Sequence, residues 1–266
     1  MIRKLADRLA SLDLLDQAAE LLRHQVDNRL SGVARAQVAA RLAVVQMMNR
    51  KPMEAVETLR KSRLAELPAD LKRARALLEA RALSELSRTD LAVEMIAAES
   101  GADIDRLRSD IHWRGKRWRE AGEAFEVVVG ARWEEGGPLE AHERLDVLRA
   151  GIAYVLANER LALDRLRGKF SPKMADSPDA RMFELVSNLD ASGTREFRNL
   201  ARSVVSVETF SEFLEAYRRR YPEIAGKPRD AAAINANTRA PAGPQAGDAA
   251  GRPDAASQPL PQPKRG

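Results

Sequence analysis

Three histidines, His24, His112 and His142, are the side chains in this 266-residue chain best suited by type to shuttle protons near neutral pH or hold a metal. Their spacing speaks against both roles. They lie far apart, and none sits in the HExxH or HxH pattern that would put two imidazoles on one face of an element. Thiol nucleophiles, disulfides and Cys-based metal sites are excluded, because the sequence has no cysteine. No GxSxG, Walker A or GxGxxG run supplies a nucleophile elbow or a phosphate cradle. Glu134 and Glu135 could imitate a carboxylate pair, but adjacent side chains diverge, and the pair runs into the loop Gly136-Gly137-Pro138. No catalytic residue, metal site or cofactor is expected.

The densest chemistry lies in His112-Trp113-Arg114-Gly115-Lys116-Arg117-Trp118-Arg119, where cations alternate with indoles. Such a run could pair phosphates and stack on bases, line a protein-binding surface, or pack a helix crossing. All three tryptophans fall between 113 and 133. The formal charge of +5 weakens the nucleic-acid reading. From Gly226 onward Lys227, Arg229, Arg239, Arg252, Lys264 and Arg265 oppose Asp230, Asp248 and Asp254, so +3 of it sits in the last stretch and no face of the body need be strongly basic.

The elements that would carry these residues are helices. Ala, Leu, Arg and Glu dominate and aromatic residues make up 5%, a composition of strong helix formers. The longest β-branched runs, Val127 to Val129 and Val204-Val205, lie inside helical spacing. Ile2, Leu5, Leu9 and Leu12 step by three and four, as do Leu15, Ala18, Ala19, Leu22 and Val26. Four further pairs follow: Val38, Leu42, Val45 with Met53, Val56, Leu59; Leu71, Ala74, Leu78, Leu83 with Leu91, Met95, Ile96; Ile104, Leu107, Ile111 with Trp118, Ala121, Phe125, Val128; and Leu145, Leu148, Ile152, Val155 with Leu161, Leu163, Leu166. Small residues in the second helices, Ala18, Ala55, Ala92, Ala121 and Ala162, are separated by 37, 37, 29 and 41 residues. Pairs of this size bury their apolar faces only by stacking on neighbours.

The expected organisation is therefore a helical array over residues 1–168, a C-terminal helical cap over 177–224, and a disordered tail over 225–266. Gly168 to Ser177 reads as a connector broken by Pro172, with Ser177-Pro178-Asp179 starting the next helix. Phe197, Val204, Phe210, Phe213, Leu214 and Tyr217 supply the bulk for the cap. The tail holds seven of the thirteen prolines, and Leu260 is almost its only large apolar residue, so burial there cannot offset ordering entropy. No stretch approaches the ~20 apolar residues of a membrane span. The start, Met1 to Asp7, lacks the apolar core of a signal peptide. As written the chain reads as cytoplasmic, or periplasmic if it is a piece of a longer exported protein.

Trp113 to Phe125 resembles the middle of a tetratricopeptide (TPR) repeat: Lys116 fills the turn, Trp118 the aromatic position, Ala121 the small one and Phe125 the last. Leu15, Ala18 and Leu22 look like the same set, and Met53, Ala55 and Leu59 a looser one; Ala43 and Ala80 match the small residue of the first helix. The segment Leu12 to Arg63 is also similar to the C-terminal part of longer bacterial TPR-array proteins. The resemblance implies an all-α, TPR-like α-solenoid of about five helix pairs acting as a non-catalytic scaffold. Its concave groove, formed by first helices, would take a peptide or helix of a protein partner. Laid on this sequence, that groove holds Met47, Arg81, Glu85, Arg106, Asp110, Trp113 and Arg114. The arginines could pair an acidic peptide, and Met47 would add an adaptable apolar spot. Two alternatives stand beside it: a structural module of a larger bacterial envelope or motility assembly, docked through its ends, and a nucleic-acid-binding helical repeat.

Overall fold

The strong helix formers and their three-four spacing produce helices throughout. The computed structural model describes residues 2–205 and 209–225, and among these there is no β-strand. The expected tail over 225–266 lies, apart from Ala225, outside the described residues. Ten helices come first: α1 (Ile2–Ser11), α2 (Leu15–Asn28), α3 (Gly32–Met48), α4 (Pro52–Lys61), α5 (Ala69–Glu85), α6 (Thr89–Met95), α7 (Ala102–Arg114), α8 (Trp118–Val129), α9 (Ala141–Ala157) and α10 (Arg160–Ala175). Then follow α11 (Ala180–Val186), a 3₁₀ turn (Leu189–Gly193), α12 (Arg195–Val205), α13 (Phe210–Arg220) and the single turn α14 (Pro222–Ala225). Each helix from α2 to α9 packs on the helix before it and the one after it in sequence, and α5 also touches both α3 and α7 directly.

Five turns are built the same way. Asp13, Arg50, Ser87, Lys116 and Asn158 each adopt the left-handed conformation, with φ from 55° to 64°, between α1 and α2, α3 and α4, α5 and α6, α7 and α8, and α9 and α10. At each, the N–H of the left-handed residue donates to the carbonyl three residues back. The next N–H donates to the carbonyl five back: Leu14 to Leu9, Lys51 to Gln46, Arg88 to Leu83, Arg117 to His112 and Glu159 to Tyr154, all at 2.8–2.9 Å. This is the Schellman arrangement, which satisfies the last carbonyls of the first helix and aims the chain back along it. The left-handed residues are 37, 37, 29 and 42 apart. The connections from second to first helices vary instead, from residues 29–31 to residues 130–140.

Five residues after each left-handed position lie Ala18, Ala55, Ala92, Ala121 and Leu163, all at 0–1% exposure. The last of these corrects the expected register: Leu163 takes the crossing position in α10, Ala162 is half-buried, and Leu161 points to solvent at 84% exposure. The connector expected over 168–177 is also absent as such, because α10 runs on to Ala175 with Pro172 inside it. Proline removes one backbone bond, but Pro172 is exposed, so the freed carbonyl meets water, while Phe170 and Met174 on either side are buried and hold the helix down.

The residues expected to cap the array divide between two places. Phe183, Val186, Phe197, Ala201 and Val204 of α11 and α12 join the core made by α7 to α10. Leu214 and Tyr217 of α13, Tyr221 just after it, and Ile224 and Ala225 of α14 join a different core, with Ala36, Ala40, Val44 and Met47 of α3 and Ala74, Leu77 and Leu78 of α5. The reason is volume. Small alanines on α3 and α5 leave room that bulky aromatic rings fill at close-packed density.

Candidate partner-binding face

Helices α3, α5 and α7 carry all seven expected groove residues, and what lies over α3 and α5 is the chain itself. Tyr217 Oη donates to the Ala74 carbonyl at 3.0 Å. Arg81 donates to Thr209 Oγ1 at 3.1 Å, and its guanidinium lies over the rings of Phe210 and Phe213 at 5.7 and 5.4 Å. On α3, Arg218 reaches the Met48 sulfur at 3.0 Å and Arg41 donates to the Ile224 carbonyl at 2.8 Å. Advancing from Thr209 to Ile224 therefore means retreating along α5 from Arg81 to Ala74 and along α3 from Met48 to Arg41. The segment α13–α14 lies antiparallel to both.

Below it runs a ladder of charges across three helices. Arg81, fully buried on α5, meets Glu85 one turn on at 2.8 Å and Asp110 of α7 at 3.4 Å. Glu85 in turn receives Arg114 of α7. Arg106 of α7 grips Asp146 of α9 with two bonds, through Nη1 and Nη2, at 2.5 and 2.6 Å. Arg149 lies 3.8 Å from the same carboxylate and over the Phe125 ring at 5.7 Å. Burial pushes the Asp110 carboxyl above the usual range, opposed by Arg81, Arg149 and Arg106. Burial also pushes Arg81 down, and pushes Arg41, under α14, to about 10, still charged at neutral pH.

Five expected residues thus lie together on α5 and α7, but they are engaged within the chain: Arg81, Glu85, Asp110 and Arg114 with one another, and Arg106 with Asp146. Arg106 and Arg114 keep about a third of their side-chain surface in water, whereas Arg81 and Asp110 have almost none. Met47 is buried in the core beneath α13 and α14. Trp113 is displaced from the groove: its ring packs edge-on against Trp118 at 5.3 Å and Phe125 at 5.6 Å in the second core. Two further cations of the run are also engaged within the chain. Arg117 pairs with Asp90, and Arg119 with Glu123 and Glu159. Asp146, Arg149 and Arg41 were missed by sequence reasoning. The available signal was a charged residue in a helix that is otherwise apolar around most of its circumference.

The histidines stay apart, on α2, α7 and α9, with His112 buried and its pKa lowered by that burial. Among the described residues no group of three or more His, Asp or Glu side chains is placed to hold a metal, and no helix is long and apolar enough to cross a membrane. An open cleft of about 440 Å³ lies away from this face, lined by Glu126, Trp133, Tyr154, Arg165 and Lys169 among others. Its most buried carboxylate is satisfied internally, since Glu126 accepts from Tyr154 Oη at 2.8 Å, Arg165 at 2.9 Å and Lys169 at 3.1 Å. Compared with protein families, with curated protein sequences and with solved structures, the chain matches none of them.

Proposed function

We propose that this chain is a TPR-like helical-repeat scaffold that binds a helix or peptide of another protein on the face formed by α3, α5 and α7. One observation carries the reading: that face already receives an amphipathic segment, α13–α14, through an aromatic stripe and side chain-to-backbone hydrogen bonds. The recurrence of one turn geometry at five positions, each followed five residues later by a buried small or aliphatic side chain, supports stacked helix pairs of the TPR kind. Stacking of this sort leaves first helices side by side on one surface, a common site for helix-in-groove recognition.

A photo-crosslinking residue placed at Met48, Arg106 or Arg114 on the inner face, or at Arg119 or Leu161 on the outside, tests it in cells. Partner adducts from the inner positions and none from the outer ones are the expected result. Adducts from the outer positions alone would favour the second reading, a structural module of a larger assembly. That alternative is motivated by the filled face and by the exposed apolar side chains of Leu5, Leu12 and Leu14 at the α1 end.

A further inference from the structure

We propose that α13–α14 is a resident competitor, and that the external partner of the inner face is an aromatic-rich amphipathic helix that replaces it. This rests on the scaffold reading above and specifies both the partner's chemistry and the control over its access.

The argument begins with how α13 is held. Phe210, Phe213, Leu214, Tyr217 and Tyr221 recur at three- and four-residue steps and form one apolar stripe. Leu214, Tyr217 and Tyr221 are buried, whereas Ser211, Glu212, Glu215, Ala216, Arg219 and Arg220 are exposed. One side of the helix therefore faces α3 and α5 and the other faces water, which is how a bound helical ligand sits in a groove. The same one-sided burial marks α2, α4 and α8, whereas α9 is buried all round from Asp146 to Val155; what sets α13 apart is that it covers α3 and α5 from far along the chain.

The floor it covers is chemically specific. Arg81 offers a flat cation to two ring faces, a contact strengthened by its desolvation. The Ala74 carbonyl accepts from a phenol one helical turn beyond the second of those rings. Alanines at 36, 40 and 74 leave the volume that aromatic side chains occupy. An incoming helix must reproduce these features: two rings three residues apart over Arg81, then a Tyr four residues after the second. An aliphatic helix would forgo the two cation–ring contacts at Arg81 and the phenol's bond to the Ala74 carbonyl, and so would bind more weakly than one that makes them. Because α13 is tethered, its effective concentration at the face is of millimolar order, and a free competitor at micromolar concentration is excluded until the resident helix is weakened.

The test uses the full chain and a fluorescent synthetic peptide with the sequence of residues 209–225. The double variant Phe213→Ala/Tyr217→Ala should bind this peptide at least tenfold more tightly than the wild type does. A peptide carrying the same two alanines should bind neither protein. Equal affinity for both proteins, or no binding to either, overturns the proposal. Should the double variant fail to fold, hydrogen exchange on the wild-type chain decides. Amides of 213–220 should exchange at least tenfold faster than those of 74–81, because the resident helix lifts while the rest stays folded; equal rates overturn it. A wild-type dimer in sedimentation that the double variant abolishes would also overturn it, by making a second copy the occupant. The scaffold reading is judged separately: inner-face crosslinks with a fixed α13 would sink only the competitor, and outer-face crosslinks alone would sink the scaffold.

Discussion

The two large cores of this molecule are closed in opposite ways. The core of α7 to α12 is filled from helices consecutive in sequence, with Trp113, Phe125, Tyr154, Phe170, Phe183 and Phe197 each contributed by a different one of them. The core of α3 to α7 is lined by alanines and is completed by rings 143 residues away in sequence, as the bond from Tyr217 to Ala74 measures. Closure by neighbours costs little loop entropy, whereas closure by a distant helix must overcome a long one. The second core should therefore be the cooperative unit and the first the one that opens locally.

The largest expected effect tests that contrast directly. Truncating Phe125, fully buried between Trp113 and Arg149, should cost about 3–5 kcal/mol and lower the urea midpoint of the whole chain. Leu214→Ala should shift the midpoint by less than half as much while accelerating hydrogen exchange in residues 210–225. If Phe125→Ala loosened only α8, or Leu214→Ala unfolded the chain as a whole, the distinction between the two cores would fall.

Acid offers a second and smaller lever, through a single half-buried carboxylate of the second half. In the second half Glu126 gathers Tyr154, Arg165 and Lys169; burial alone would raise its pKa, but these hydrogen bonds outweigh it and hold the carboxyl below its ordinary value. A carboxyl with a depressed folded pKa contributes stability above the unfolded pKa and loses it as pH falls. In the first half, Arg75 donates to the Ala36 and Leu59 carbonyls at 2.6 Å and Arg41 to that of Ile224, acceptors that do not titrate, beside carboxylate pairs such as Glu79 with Arg60 and Arg63. Asp110, raised by burial, contributes with the opposite sign. Glu126→Gln should therefore flatten the loss of stability between neutral pH and about pH 3.5 by about 1 kcal/mol, a modest value because Arg165 is half exposed. Urea unfolding at the two pH values measures it, and an unchanged acid limb would remove Glu126 from the account.

How much of this could be read in the sequence differs by kind of information. Helices and their small crossing residues were legible at Ala18, Ala55, Ala92 and Ala121, because a helix writes its buried face locally, every three or four residues. Leu161 misled, since an apolar residue in a helix's first turn carries the same letter whether buried or not. Pro172 misled because its cost, one lost backbone bond and a ring clash on the exposed side, is outweighed by the burial of Phe170 and Met174 on either side, which no local pattern announces. Arg81, Glu85, Arg106, Asp110 and Arg114 lie on the neighbouring helices α5 and α7, yet their partners were not legible, since pairing across helices depends on distances no local pattern encodes. The placement of α13 is the clearest case. Its stripe announced a buried face, and nothing nearby in sequence said that α3 and α5 were what would cover it.

The smallest predicted effect is the one that ought not to distinguish the halves at all. The left-handed turns at Arg50 and Lys116 have the same φ of 55° and the same backbone bonds, although Arg50 belongs to the first core's helices and Lys116 leads into the second's. A Cβ in this conformation is strained against the following carbonyl, and glycine removes the strain at the cost of a more flexible unfolded chain. Arg50→Gly and Lys116→Gly should each stabilise the protein by about 0.5 kcal/mol, read as matching rises in the thermal midpoint. Asn158→Gly should give almost nothing, because asparagine already tolerates this region through its short polar side chain. Equal gains at 50 and 116 would mean that the turns are independent modules and that the asymmetry resides wholly in what fills the two cores. Unequal gains would mean that the asymmetry extends to the turns, and that the resident helix strains the hairpin it covers.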